Sequence, residues 1–525
     1  MNLDISDSDD IKNQQNSRES MNSSLSLVAL RVIFLLDLAK SRWKAKGNGC
    51  GKQQGSLTVS TSVTSSPSPP GKPLTKECLT RTLTHLFRKV PPLRTCYGRR
   101  NGDTWLREMA KEIVDFEVVP ETTMRDMHSK LQHRHYDTWT GPLWCARLWP
   151  RPQSSLPDDE LGFDKSRYPH VYTLFFGFHH GITDGNTNMR ICGFFVQLLN
   201  DVLAGKSIQD EEQLGILVSD ERTKKLLEER IANMEADPEV KQRALDDYNA
   251  RHTKHSMIES TFKGTGDKEG RSLVLARDVD VATTSQFVKR CRTENVTVNS
   301  AFTALANVAL VDLLLEGGLQ QDTYNIRGDH ILNARRYWEG DTSPYLGCHI
   351  VPQLAVIVPT PRDIGGKFWE YARLVHADMK QKLEAGTALQ DEAVKYFMPN
   401  RPSFETIFTC EFGVTNMGDV TKLVTEGGEH VQALHVLRSV NVDGIPCTWT
   451  HLCHTFRDRF IHVLSYNTAS KSSAHFYTSQ GRLKYLKGLG TAKFQPRFLQ
   501  KPPSITVKSS QDRKATRFRT GSYNF

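Results

Sequence analysis

The 525-residue sequence predicts a mixed α/β fold built in two halves of similar size. Segments with the pattern of strands alternate with helical segments from about residue 55 to about residue 490. A charge-rich, helix-favouring stretch over residues 207–260 separates the halves and predicts exposed helices at a crossover between them. The length can hold one large or two medium domains with substantial cores.

The first half predicts a central buried strand followed by a helix. β-branched alternation over Gly55–Val63 predicts an earlier strand, and Thr75 is predicted to cap a helix that runs through Val90. The run His170–Phe178 is apolar throughout and rich in aromatic and β-branched residues, which favours a strand buried on both faces. Apolar residues then recur at helical spacing over Met189–Val202.

The second half predicts a buried helix among several strands. Thr297 is predicted to cap a helix that is apolar on most faces and that ends at Gly317-Gly318. The other predicted strands are Ser272–Leu275, His349–Val358, Thr406–Phe412 and Phe460–Tyr466, and the other predicted helices are Ser285–Arg292, Phe368–Leu383 and one near Arg482.

These patterns divide the chain into four parts. Residues 1–54 are predicted to be a flexible N-terminal appendage and residues 491–525 a basic flexible tail. Residues 55–265 form the predicted N-terminal half, and residues 266–490 the predicted C-terminal half. The apolar run 25–38 is shorter than the roughly 20 residues that a membrane-spanning helix needs, so it predicts a peripheral or docking helix, and membrane contact is not expected.

Charge and cysteine content narrow the functional classes. Much of the net charge of +9 lies in the two ends of the chain, without the interleaved aromatic residues of a single-strand nucleic-acid platform. Nucleic acid is therefore not a predicted partner. The ten cysteines are scattered and include no CxxC pair, which favours a reducing compartment, with the cytoplasm as the default. A monomer is expected.

The run His179-His180-Gly181-Ile182-Thr183-Asp184-Gly185 follows the central strand directly. Because His180 stands where a buried strand ends, its imidazole is predicted to project into a cavity as a general base with a pKa near neutrality. Asp184 is predicted to brace the turn through a cation, and Gly185 to leave room where backbone and substrate approach each other. A histidine pair of this kind is alternatively structural or metal-bound.

This run resembles the HHxxxDG active-site motif of the chloramphenicol-acetyltransferase-like superfamily. That superfamily includes condensation domains, wax ester synthases and alcohol O-acetyltransferases. LTHLFRKVPPLRTCY from Leu83, GPLWCARLW from Gly141 and CRTENVTVNSAFTALANVAL from Cys291 are also similar to family segments. The resemblance covers about Gly55 to Leu489. It implies two chloramphenicol-acetyltransferase-like halves, each a mixed sheet flanked by helices, with a tunnel at their interface.

The resemblance also implies roles for particular residues. His180 would deprotonate a hydroxyl or amine as it attacks a thioester carbonyl, so no covalent acyl-enzyme is needed. Asp184 would be structural and paired with an arginine, with Arg335 as the first candidate and Arg336 adjacent. Asn416, in a Thr-Asn-Met-Gly segment, would orient the acceptor or help stabilise the oxyanion. A loop-closing Asx turn is an equal alternative for Asn416.

Departures from the family patterns narrow the class. The chain has no DFGWG segment, which argues against a plant BAHD enzyme, and it lacks the Asn-Val-Pro-Gly-Pro form of the wax ester synthases. It has no carrier-protein serine motif, so a free-standing enzyme is expected and not a peptide-synthetase module. The sequence therefore predicts an acyltransferase with acyl-CoA as co-substrate, a small alcohol or amine as acceptor, and no bound cofactor. Two alternatives stay open: a non-catalytic module that binds an acylated carrier or a lipid, and a membrane-associated lipid acyltransferase that depends on the run 25–38.

One cluster carries metal-ligand residue types, namely Cys447, His451, Cys453 and His454. In a strand, His451 and Cys453 share one face and His454 points to the other, and no second pair at zinc spacing follows. The sequence therefore predicts no metal site.

Overall fold

The structure is a computed structural model, and it describes most of the chain between residues 28 and 468. The described ranges are 28–37, 57–64, 74–101, 103–120, 122–151, 170–252, 256–262, 271–398, 410–425, 427–428, 430–443 and 449–468. The predicted basic tail at 491–525 and the predicted helix near Arg482 lie outside these ranges.

The described strands and helices alternate along the chain, as the sequence predicts. The strands are β1 Val28–Asp37, β2 Leu57–Thr64, β3 Thr95–Arg100, β4 Asp103–Glu108, β5 Phe116–Val118, β6 Trp144–Arg151, β7 Val171–Phe178, β8 Ile216–Leu217, β9 Ser272–Val279, β10 Thr323–Asn333, β11 Tyr345–Leu346, β12 Ile350–Pro361, β13 Phe412–Asp419, β14 Val431–Asn441, β15 Trp449–Phe456 and β16 Arg459–Asn467. The α-helices are α1 Lys76–Lys89, α2 Met124–Gln132, α3 Gly185–Leu203, α4 Glu221–Ala236, α5 Pro238–His252, α6 Met257–Thr261, α7 Val281–Thr293, α8 Val298–Glu316, α9 Phe368–Glu384, α10 Thr387–Val394 and α11 Thr421–Val424.

The N-terminal half is built on a six-stranded sheet in the order β14-β2-β1-β7-β6-β5. All residues of β7 are buried, which confirms the predicted central strand. The helices α1 and α3 share one apolar core with β7, to which Leu83, Phe175 and Phe195 contribute. The Thr75 hydroxyl accepts a hydrogen bond from the Cys78 amide at 3.1 Å, which is the predicted N-cap of α1.

The strand β1 corrects the expectation for the N-terminal segment. Residues Val28–Asp37 form a strand parallel to β7 and β14, so the prediction of a docking helix over 25–38 is wrong. A short apolar run is compatible with either structure, and pairing with partners distant in the sequence decides between them. The N-terminal half therefore includes part of the range 1–54 that was predicted to be an appendage. The membrane-associated hypothesis loses the helix on which it depended.

The C-terminal half is built on a second six-stranded sheet in the order β12-β10-β13-β15-β16-β9. The helix α8 is buried on opposite faces, because Ala301 belongs to a core with α9 and β12 while Phe302 belongs to a core with β13 and β16. Its N-cap is Thr297 and its C-cap is Gly317, as predicted. Among the described residues α8 alone is long and apolar enough to cross a membrane, and it is largely buried inside the protein.

Strands β13 and β14 differ from the predictions made for them. Strand β14 follows the predicted boundary at residue 266, yet it pairs with β1 and β2 of the first sheet. The prediction of a strand over 406–412 is wrong at positions 410 and 411, because β13 begins only at Phe412 and then runs through the polar segment to Asp419. Pairing of β13 with β10 and β15 outweighs the weak strand preference of that segment.

Four buried histidines of the C-terminal half predict that acid destabilises the protein. Burial is the largest cause that lowers their pKa values, which are about 3 for His330, about 3 for His454, about 4 for His462 and well below the usual value for His451. The unfolded chain binds more protons than the folded one between about pH 6.5 and pH 4, so the free energy of unfolding should fall as the pH falls through that window. His133, whose pKa is raised by its hydrogen bond to Asp443, acts in the opposite direction.

Thermal unfolding followed by circular dichroism at pH 7, 6, 5 and 4 measures this effect. A midpoint that stays level or rises on acidification would contradict it.

Candidate active site

The turn between β7 and α3 carries the motif and forms one wall of a pocket. Asp184 is the N-cap of α3, and its Oδ1 accepts a hydrogen bond from the Thr187 amide at 2.8 Å. Residues of both halves line the pocket; they are His180, Asp184, Gly185, Asn186, Ile331, Leu332, Asn333, Ile350, Thr415, Asn416, Met417, Val440 and Thr450. The pocket therefore lies where the first half meets strands β10, β12, β13 and β15 of the second.

His180 is buried at this wall, with 4% of its surface exposed. Burial lowers its pKa below the usual value, while backbone hydrogen bonds at His180 and Thr183 and the charge of Asp184 act in the opposite direction. The imidazole is therefore neutral at pH 7 and able to accept a proton. Its Nδ1 lies 3.2 Å from the Sγ of Cys348.

His179 makes its contacts inside the first half of the protein and does not line the pocket. Its Nδ1 accepts a hydrogen bond from the Gly181 amide at 3.1 Å, and its ring meets Tyr97 and Tyr136 edge-on. Burial, followed by the neighbouring His180, lowers its pKa to about 4. A side chain at position 181 would place its Cβ 1.7 Å from the Tyr97 hydroxyl oxygen, so any larger residue there would have to displace Tyr97.

Asp184 and Arg335 form the ion pair that the resemblance implied. Arg335 Nη1 donates to Asp184 Oδ2 at 2.5 Å, and both side chains are buried. The His349 amide donates to the same oxygen at 2.9 Å. Burial raises the pKa of Asp184, but Arg335, His349 and the backbone donors outweigh it and lower the pKa below its usual value. Arg336 is exposed and takes no part in the pair.

Gly185 allows two side chains to approach the start of α3. A Cβ at this position would lie 3.0 Å from Met417 Sδ and 3.3 Å from Arg438 Nη1. The crowding therefore comes from the protein's second half, whereas the sequence predicted crowding by backbone and substrate.

Asn416 lies on the pocket wall, within strand β13. Its Oδ1 accepts a hydrogen bond from the Gly418 amide at 2.8 Å, which is the geometry of an Asx turn. The hydrogen bond of the Asx-turn alternative for Asn416 is therefore present. The position of Asn416 on the same wall as His180 leaves the acceptor-orienting interpretation as a prediction.

Sequence reasoning missed three groups that shape the site. Cys348 contacts His180, and Thr187 donates a hydrogen bond to the carbonyl oxygen of Gly347 at 2.8 Å. Arg438, fully buried on β14, donates to Thr415 Oγ1 at 3.1 Å, to the Thr415 carbonyl and to the Cys453 carbonyl. Burial lowers the pKa of Arg438 to about 10, so it stays charged at pH 7. These contacts join distant parts of the chain, so no local sequence pattern predicts them.

The residues of the metal-type cluster have other partners where they are described. His451 Nδ1 lies 2.9 Å from His462 Nε2, and His454 Nε2 lies 2.9 Å from the Val436 carbonyl oxygen. In the described part of the chain no group of three or more His, Cys, Asp or Glu side chains has the arrangement of a metal site. Cys447 lies outside that part.

The similarity of this chain to known proteins lies in its three-dimensional structure. No protein-family model matches the sequence, and no curated protein does. TRI3 trichothecene 15-O-acetyltransferase from Fusarium sporotrichioides superposes with a TM-score of 0.56 at 13% identity, covering 83% of this chain and 91% of that chain. The first condensation domain of the calcium-dependent antibiotic synthetase superposes with a TM-score of 0.55 at 9% identity and the same coverage. The chain has the chloramphenicol-acetyltransferase-like fold.

This fold is a mixed α/β architecture with two lobes, as the resemblance implied. The condensation domain of the Monacolin K polyketide synthase MokA also shares it, with a TM-score of 0.53 at 10% identity over 83% of this chain and 91% of that chain. At such identities the likeness establishes the fold of this chain and leaves its donor and acceptor to be argued from the site. The tunnel between the lobes stays a prediction.

Proposed function

We propose that this protein is an acyltransferase that moves an acyl group from a thioester to a hydroxyl or amine, with His180 as the general base. The observation that carries the proposal is the placement of a neutral, buried imidazole on the wall of a pocket that both halves line. Among the described lining residues, Asp184 is the other titratable group, and its carboxylate is held by Arg335.

Direct acyl transfer needs one general base, placed beside the attacking atom of the acceptor. As the acceptor oxygen or nitrogen attacks the thioester carbonyl, His180 takes its proton. The carbon–sulfur bond then breaks, the proton passes from His180 to the departing sulfur, and the thiol leaves while the neutral imidazole is restored. The Asp184–Arg335 pair holds the turn that carries His180, because Asp184 also caps α3. Asn416 lies on the pocket wall, where an amide donor would stabilise the oxyanion of the tetrahedral intermediate.

The proposed donor is acyl-CoA, and the proposed acceptor is a small alcohol or amine, with no bound cofactor. TRI3, which shares the fold, is an O-acetyltransferase, and this chain lacks a carrier-protein serine motif. None of the eight cysteines within the described residues is part of a disulfide bond, which supports the proposed cytoplasmic location. A monomer is proposed.

Incubation of the full chain with acetyl-, butyryl- and decanoyl-CoA and a panel of alcohols and amines tests the proposal. Chromatography with mass spectrometry should find acylated acceptor and free CoA in excess of a reaction without protein. Saturable binding of acyl-CoA without product over the whole panel would favour the non-catalytic module instead.

A further inference from the structure

A buried arginine beside the pocket carries a charge that no acid in the described part of the chain balances. Arg438 lies on β14 with 1% of its surface exposed. Its guanidinium donates to Thr415 Oγ1, to the Thr415 carbonyl and to the Cys453 carbonyl, and all three acceptors are neutral. Among the described residues no carboxylate pairs with it. Neutral acceptors can be served by a neutral donor, so these contacts do not account for the charge.

The other buried arginines that the structure describes all have a carboxylate partner. The pairs are Arg147 with Asp115, Arg327 with Asp329, and Arg335 with Asp184. Such pairing is the rule for buried charges, because transfer of an isolated charge out of water is costly. Arg438 departs from this rule at the one place where a ligand can supply the missing anion.

The guanidinium lies directly behind the pocket wall. Val440 lines the pocket, and Arg438 points to the same face of β14, because side chains two positions apart in a strand share a face. Arg438 Nη1 is 3.3 Å from the position that a Cβ of Gly185 would take, and Gly185 also lines the pocket. The Nε of Arg438 has no hydrogen-bond partner among the described residues.

Thr415 connects this charge to the inside of the pocket. Its hydroxyl oxygen accepts from Arg438 Nη1 at 3.1 Å, so the hydroxyl hydrogen points away from the guanidinium. Thr415 is partly exposed and lines the pocket, where this hydrogen can be donated to a ligand.

The start of helix α3 adds positive potential to the same wall. Gly185 and Asn186 begin this 19-residue helix and line the pocket, and a helix N-terminus carries a partial positive charge. The charge of Asp184 is already balanced by Arg335. The described groups around the pocket therefore carry a net positive charge that favours an anion.

We propose that Arg438 is a specificity-determining residue and that the pocket takes a substrate with a carboxylate, to which the Thr415 hydroxyl donates. The carboxylate belongs either to the acyl group, as in a dicarboxylic acyl-CoA, or to the acceptor, as in a hydroxy or amino acid. In both cases it supplies the counter-charge of Arg438. The inference rests on the proposed function, because it concerns the substrate of the same pocket.

Matched substrate pairs separate the two sources of the carboxylate. Malonyl-CoA against butyryl-CoA, each with the best neutral acceptor, tests a carboxylate on the acyl group. Hydroxy and amino acids against their amides, with 3-phenyllactate among them and acetyl-CoA as donor, test a carboxylate on the acceptor. In one arm kcat/KM for the acid should exceed that for the neutral analogue about tenfold, because the charge acts through a partly screened medium.

Two variants of Arg438 assign this preference to its charge. Arg438→Gln removes the charge and keeps an amide donor, whereas Arg438→Lys keeps the charge. The ratio of kcat/KM for the acid to that for its neutral analogue should fall to about one in Arg438→Gln and be largely kept in Arg438→Lys. A purely structural role lowers both rates alike and leaves the ratio unchanged. Arg147→Gln is the matched control, because Arg147 is buried outside the described pocket lining, and it should keep the wild-type ratio.

A wild type that turns over both members of every pair with equal kcat/KM overturns the inference and leaves the proposed function intact. The same conclusion follows if Arg438→Gln keeps a wild-type preference for the acid.

Thermal unfolding gives a second readout that does not depend on turnover. The probes are 3-phenyllactate, malonyl-CoA and their neutral analogues. One of the acids should raise the midpoint of the wild type more than its analogue does, and this difference should disappear in Arg438→Gln but not in Arg147→Gln. That result in a protein without any product supports the carboxylate site and sinks the proposed function. Equal midpoints for acid and analogue in both pairs, without acid preference in turnover, overturn the carboxylate site.

Discussion

Replacement of His180 by alanine is expected to lower kcat by about 10²–10⁴-fold, the contribution of a positioned general base, with little change in KM. Burial keeps the imidazole neutral at pH 7, so the wild-type ring is ready to take the acceptor's proton. The remaining titratable group among the described lining residues, Asp184, has one oxygen on the Thr187 amide and the other on Arg335. No replacement base therefore stands close by in the described pocket.

Steady-state kinetics of acyl-CoA consumption at saturating acceptor measure this effect. His135→Ala is the matched control, because His135 is an exposed histidine of the same half. The control should retain wild-type kcat. A His180→Ala protein that folds normally and keeps wild-type kcat would remove His180 from the mechanism.

Breaking the Asp184–Arg335 pair is expected to cost about 3–5 kcal/mol of unfolding free energy, because it leaves one charge buried without its partner. The two side chains are 2% and 3% exposed, so water cannot take the place of the missing group. Arg335→Met leaves the Asp184 carboxylate with only amide donors, and its pKa should rise. The double variant Asp184→Asn with Arg335→Met should be less destabilised than the sum of the two single variants, since it removes both charges.

Urea unfolding of the wild type, both single variants and the double variant measures these differences. The control is Lys224→Ala, which removes an exposed helix pair with Glu228 and should cost only about 0.3–0.5 kcal/mol. If Arg335→Met cost no more than this control, the pair would not hold the turn as described.

Local patterns predicted the elements that carry the site. The apolar run of β7, the helical spacing of α3 and the caps Thr75 and Thr297 depend on neighbours in the sequence, and the structure has each of them. The partner of Asp184 came from the family resemblance, and the pair with Arg335 is present. The fold class followed from the same observations and is confirmed by the structural matches.

What the sequence did not predict depends on pairing between distant segments. Strand β14 passes from the second half into the first sheet, and β1 is a strand because it pairs with β7 and β14. Cys348 reaches His180 across 168 positions, and Arg438 links β14 to β13 and β15 beside the pocket. Sequence periodicity reports which face of an element is apolar, but it does not report which element packs against that face.

In the proposed reaction an acyl group passes from a thioester to an acceptor in the pocket beside His180. The stoichiometry of free CoA and acylated acceptor, measured in one reaction with isotope-labelled acyl-CoA, tests this transfer. The wild type should give equal amounts of the two products with the label in the acceptor, and His180→Ala should give neither. CoA release without labelled acceptor, or equal product from wild type and His180→Ala, would contradict it.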